Sequence, residues 1–228
     1  MNSEDTIRQM LIEQNASDEF LSEFHFANRL IELTDFYRRE SILCFEGKAL
    51  FAAGVLAASA LESLLIQFCL SDKANVVESV TWKSLKNAKY GSFLEALRQN
   101  SRVGLDKLLS LANELGWFPT GPISDKISTK LIEDFGEENR SDILEFLSDF
   151  QTVDELFEVM SELAKNSRNY VHPAVCIRSE LKIKDLTGKE TFFSALFVLT
   201  LLHVKVDEMF NAIMVLQNAA AKSAVTGA

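Results

Sequence analysis

Apolar residues recur along this chain with the spacing of amphipathic helices, and almost nowhere with the alternation of strands. A first short stripe covers 3–14 (Ile7, Met10, Leu11). A break with capping residues follows at 15–18. The next stripe predicts a long helix over 18–46, with Phe20, Leu21, Phe24, Ala27, Leu30, Ile31, Thr34 and Phe36 near one side. Gly47 suits its end or a kink. Residues 49–70 are apolar nearly all round and predict a central, fully buried helix over 48–71. The pattern is weak from 72 to 90. Helices are then expected at 91–99, 103–115, 124–134 and 140–150, with Gly116 as a C-terminal cap and the run Trp117 to Pro122 as a loop. A helix over about 152–171 opens with a capping box, Thr152 as cap and Glu155 three residues on. Its stripe is Val153, Leu156, Phe157, Met160, Leu163, Ala164 and Val171, and Pro173 stops it. Residues 175–184 alternate and predict a short strand or an extended connection. A last long helix is expected over 189–218, ahead of an Ala-rich tail.

Few breakers support this all-α reading: the 228 residues hold only three Pro and nine Gly. The length suits one large domain or two small ones with a substantial core. We read it as a single domain over 1–228, with 72–150 an elaboration of short helices between the core helices. Glu62, near the middle of 49–70, would cost about 2.5–3.5 kcal/mol inside a bilayer. The segment is therefore expected to be a core helix, and no membrane partner is expected. No basic-then-apolar leader precedes it, so a cytoplasmic location is expected.

Charge narrows the chemistry. Acids outnumber bases 33 to 23, which argues against nucleic-acid binding over the whole surface and leaves room for a local site. Ten acids and one base lie between Glu133 and Glu158, a run expected to form a solvated helical face. From Lys165 to Lys184 the balance reverses to five Lys/Arg against one acid. Cys44, Cys69 and Cys176 lack metal-ligand spacing, so no metal or other cofactor is expected, and reduced thiols account for them. No phosphate-cradling glycine loop, nucleophile elbow or dinucleotide fingerprint occurs.

The basic stretch carries the one constellation with chemistry in it: Arg168-Asn169-Tyr170-Val171-His172-Pro173. Arg168 and His172 are four apart and are neighbours on one side of a helix. An arginine offers a planar fork to phosphate oxygens, and a histidine titrates near neutral pH as base or acid. Lys165 and Arg178 are candidate phosphate-binding residues beside them. The plainer reading has Arg168 paired with Glu158 or Glu162 and His172 capping its own helix. Glu62 and Tyr170 are possible supporting residues. Glu62, inside an apolar helix, must find a partner or shift its pKa. His25 and His203 sit among apolar neighbours and are expected to be packing or surface residues. The phenylalanines follow helical spacing and are expected in the core.

Two stretches together resemble the HEPN superfamily of prokaryotic helical proteins. One is FYRRESILCFEGKALFAAGVLAASALESLL, within 36–65, with an aromatic, a glycine and an Ala-rich run ending in Ala-Leu-Glu. The other is Arg168-Asn169-x-x-His172-Pro173; the segment LDKLLSLANELGWFP resembles the linkage between them. The resemblance covers about 18–215. It implies a bundle of four or more long antiparallel helices, a homodimer, and in many members metal-independent endoribonuclease activity of toxin or defence type. In those members an arginine and a histidine from each protomer meet across the interface. Here they would be Arg168 and His172, with Asn169 as the polar residue after the arginine. Three residues separate Arg168 from His172, fewer than active members usually have. RNA and a cognate protein are the partners implied. The alternative is a HEPN-like protein-interaction or nucleotide-binding module without turnover.

Overall fold

A computed structural model describes residues 17–85, 89–169 and 192–207; the side chains at 163 and 165–169 lie outside it. The fold of the described residues is all-α, without a strand. Expectations for 3–14, 175–184 and the tail fall outside the described residues.

Two long helices form the frame. Helix α1 (Asp18–Glu46) starts where the Ser17 side chain accepts the Phe20 amide, which satisfies one of the orphan donors of a helix start. It ends at Gly47, as the sequence predicts. The left-handed residue of the turn is the next one, Lys48, at φ 59°. Helix α2 (Leu50–Ser71) returns antiparallel against α1. Ala53, Ala57 and Ala60 are fully buried, and their small side chains allow the close approach that seats Leu61 and Leu65 in the core. Full burial of such a leucine is worth about 1.5–3 kcal/mol. The pair is also pinned by polar contacts. Gln67 Nε2 donates to Thr34 Oγ1 at 2.8 Å, and Thr34 Oγ1 donates to the Leu30 carbonyl.

Helix α2 is not buried all round, which corrects the expectation of a fully buried helix. Eleven of its 22 residues are buried, and Phe51 is 43% exposed. Its outward side is also built of Ala, Val, Leu and Ile, so composition hides the two-sidedness. Among the described residues α2 is the one helix long and apolar enough to cross a membrane.

Short helices follow: α3 (Lys73–Glu78), α4 (Val80–Ser84), α5 (Phe93–Gln99) and α6 (Leu105–Glu114). Gly116, at φ 65°, is the left-handed residue that ends α6, as expected. Trp117 and Phe118 then turn inward and are each 5% exposed. Next come α7 (Asp125–Phe135), a 3₁₀ turn (Glu137–Asn139), α8 (Arg140–Ser148) and α9 (Val153–Asn169). Helix α10 occupies 192–207. Phenylalanines knit these elements together, as the sequence predicts, but Phe20, Phe36 and Phe51 are 49%, 48% and 43% exposed, which corrects the expectation that all of them lie in the core. Phe45 of α1 stacks on Phe192 of α10 at 4.3 Å, Phe135 of α7 on Phe193 at 5.3 Å, and Phe146 of α8 meets the edge of Phe197 at 5.3 Å. Each such pair adds about 0.5–1.5 kcal/mol beyond burial.

Candidate functional site on the motif helix

Helix α9 carries the motif, and its start is strongly defined. The Glu155 amide donates to Thr152 Oγ1 at 3.3 Å. The Glu155 carboxylate accepts in return from the amides of Gln151 and Thr152. This is the capping box that the spacing predicts. The preceding loop is tied to the same turn. The Val153 amide donates to the Gly121 carbonyl at 2.8 Å, and the Gly121 amide to Asp154. Phe118 lies on Phe157 with ring centroids 3.8 Å apart. Val153, Leu156, Phe157, Met160 and Ala164 are buried, so the described part of the predicted stripe meets the core; the Leu163 side chain and Val171 lie outside the described residues.

The helix runs without a break to Asn169, which places Lys165, Arg168 and Asn169 in its last two turns. The final carbonyls of a helix have no partner within it and form the negative end of its dipole, so cations are favoured there. Tyr170, His172 and Arg178 lie outside the described residues, as does Cys176. The juxtaposition of Arg168 with His172 is therefore read from the sequence.

Beside α9 lies a groove of about 620 Å³ shared with the C-terminal half of α6. Among the described side chains its walls carry Glu114, Asp154, Glu155, Glu158 and Glu162 and no base. Glu114 accepts the amides of Val80 and Thr81, which hold its carboxyl below the usual range. The acidic run expected over 133–158 is for the most part solvent-facing, with one correction. Asp134 has a side chain only 6% exposed. It lies on the apolar face of α7 with Ile127 and Leu131.

Glu62 lines a second groove, of about 400 Å³, between α1 and α2. Phe26, Leu33 and Tyr37 of α1 and Arg98 of α5 share it. Glu62 is thus half-buried at a helix–helix seam. Ser59 and Ser63, in line with it, donate back to carbonyls of their own helix at 2.9 Å.

No family model, curated protein or solved structure matches the chain. The reading of this site therefore rests on its own residues.

One further cluster was not legible in the sequence. Asp134 accepts from Arg38 Nη2 of α1 at 2.7 Å and from Thr200 Oγ1 of α10 at 2.6 Å, and Lys130 Nζ is 3.8 Å away. His203, one turn beyond Thr200, faces the same charges. Burial pushes its imidazole below the ordinary range and the positive charge of Arg38 adds to this, while Asp134 pulls the other way. Three distant helices converge on one carboxylate, a relation that only the tertiary fold creates. Among the described residues no group of three or more His, Cys, Asp or Glu could hold a metal ion.

Proposed function

We propose that the protein is a HEPN-like, metal-independent endoribonuclease of toxin or defence type. On this reading it works in the cytoplasm as a homodimer and has a cognate protein partner. One observation carries the reading: α9, capped at Thr152, runs continuously to Asn169. It delivers Arg168 in its last turn, immediately before Asn169-Tyr170-Val171-His172-Pro173. The all-α architecture and the antiparallel α1–α2 pair are compatible with it.

The chemistry follows from the two side chains. His172 takes the proton of a ribose 2′-hydroxyl, and that oxygen attacks the adjacent phosphorus. Arg168 offers its fork to the phosphate oxygens and stabilises the charge that grows in the transition state. A second Arg168–His172 pair across a two-fold axis supplies the acid that protonates the departing 5′-oxygen. Lys165 and Arg178 attract the strand, and Asn169 positions it.

The test is cleavage of single-stranded RNA in excess EDTA. Wild-type protein should cut, and His172→Ala and Arg168→Ala should each lose about 10²-fold or more, the usual worth of a general base or charge stabiliser. Activity retained by both variants removes the reading. A second reading, a non-catalytic protein-interaction module, is favoured by the five carboxylates along α9 and α6, which repel RNA and suit a basic partner. It predicts no cleavage by wild type.

A further inference from the structure

Charge is segregated along this chain to a degree that overall composition conceals. Residues 82–107 hold six Lys/Arg (Lys83, Lys86, Lys89, Arg98, Arg102, Lys107) against two acids, Glu95 and Asp106. The remainder therefore carries 17 bases against 31 acids. Two described parts of this stretch meet. The buried Asn100 side chain donates to the Leu85 carbonyl at 3.2 Å, which brings the end of α4 against the turn between α5 and α6.

At that junction lies a groove of about 440 Å³. Ser84 and Leu85 form one wall; Ser101, Arg102 and Lys107 line the rest, with Asp106 the one acid. Arg102 is exposed, and no ion pair holds its guanidinium among the described residues. The one ion pair of Lys107 among the described residues is with its sequence neighbour Asp106, at 3.5 Å and half-exposed, a contact worth little in water. An arginine fork, a lysine and serine hydroxyls are groups that hold a phosphodiester strand. Farther along the same helix α6, the acidic groove at Ser110, Asn113 and Glu114 repels such a strand. The two ends of α6 thus set a polarity for a polyanion.

We propose that the groove at Ser84, Ser101, Arg102 and Lys107 docks the backbone of single-stranded RNA. The choice of RNA as the polyanion rests on the ribonuclease reading; the surface does not depend on catalysis. Arg102 binds phosphate oxygens through its fork, Lys107 adds a point charge, and the Ser101 hydroxyl donates to a phosphate or ribose oxygen; the Ser84 hydroxyl, which donates to the Thr81 carbonyl at 2.7 Å, accepts from a ribose 2′-hydroxyl.

The experiment measures anisotropy of a 5′-labelled 12-nucleotide RNA, at 50–200 mM salt, on the full chain carrying His172→Ala so that the probe survives. Adding Arg102→Glu and Lys107→Glu should weaken binding about tenfold or more, and the loss of two phosphate contacts should flatten the log–log salt slope by about 1.4. Arg102→Gln with Lys107→Gln should fall between. Thermal melts of each variant verify the fold. An unchanged affinity and slope overturns the proposal. So does binding by the His172→Ala parent that is absent, or that polyglutamate or anionic vesicles match. If RNA binds through Arg102 and Lys107 but wild type never cleaves it, the ribonuclease reading falls and the groove stands. If cleavage depends on His172 while these variants bind normally, the groove falls and the ribonuclease reading stands.

Discussion

Arg38 Nη2 lies 2.7 Å from Asp134 Oδ1, across 96 residues of sequence, and this contact joins α1 to α7. Thr200 donates to the other carboxylate oxygen at 2.6 Å and adds α10 to the clasp. Asp134→Ala would leave Thr200, which is fully buried, and a partly covered guanidinium without their acceptor. Breaking a buried pair costs about 3–5 kcal/mol. Because the Arg38 side chain is 31% exposed and water can recover part of its solvation, about 2–3 kcal/mol is expected here. Asp134→Asn keeps an oxygen for Thr200 and should cost about 1–2 kcal/mol. Urea unfolding of both variants checks the order; equal midpoints for Asp134→Ala and wild type would remove the clasp as a stabilising element.

The same cluster predicts how stability depends on acidity. Burial, then Arg38, lower the pKa of His203 from 6.5; Asp134 pulls upward more weakly, and the smaller effects of Lys130 and Asp207 oppose each other. The unfolded chain therefore binds a proton near pH 6.5 that the folded chain takes up only at lower pH. Where the unfolded state holds more protons, stability rises with pH. The contribution is fully present above the unfolded value and is lost as pH falls through 6.5 towards the folded value. His203→Gln should remove this part of the slope. Melting temperatures at pH 7.5, 6.5 and 5.5 compare the two, and parallel curves would contradict the assignment.

What the sequence disclosed follows from where its signals are local. Ser17 and Gly47 bracket α1, and Thr152 with Glu155 starts α9, because a cap is a contact between residues three or four apart. Gly116 was recognisable for the same reason. Asp134 was not, since its partners come from 96 and 66 residues away and its own helix gives no hint of them. The two helices α3 and α4 are six and five residues long, too short for a 3.6-residue period to register. Glu62 was visible as an anomaly, but its seam between α1 and α2 was hidden by an outward face as apolar as the inward one. Of the motif, the helix that carries Arg168 was legible, and the groove of carboxylates beside it was visible only as a run of acids.

The capping box makes a local prediction about α9. Thr152→Ala removes the acceptor for the Glu155 amide and should cost about 1 kcal/mol. Amide exchange should quicken at Asp154 and Glu155 more than at Met160, since fraying spreads from the uncapped end. Uniform acceleration along the helix would point to global destabilisation instead.

Cys69 offers a chemical test of the core. It is fully buried in α2, and burial together with the Asp72 charge pushes its thiol up to about 12. The thiolate that reacts is then a fraction of order 10⁻⁴ at pH 8. Iodoacetamide under native conditions should leave Cys69 unmodified and label half-buried Cys44 ahead of it. Rapid native labelling of Cys69, read by peptide mass spectrometry, would mean that the α2 face opens readily.

Glu158 connects the acidic groove to function. It lies on the same helix as Arg168, ten residues earlier, so about 15 Å along the axis. At that distance a single charge is largely screened at 0.15 M salt, where the Debye length is about 8 Å. A strand that binds near the end of α9 and extends past it comes nearer to the groove, and at about 10 Å in water one charge is worth about 0.4 kcal/mol. Glu158→Gln should therefore raise RNA affinity about twofold at low salt, and the gain should vanish by about 0.5 M as screening tightens. Stability should change little, because the Glu158 side chain is exposed and its backbone carbonyl still accepts the Ser161 hydroxyl at 3.1 Å. Lower RNA affinity in the variant would mean that the groove helps to bind the strand, by hydrogen bonds from ribose hydroxyls to the carboxylates, and the repulsive role assigned to it would be wrong.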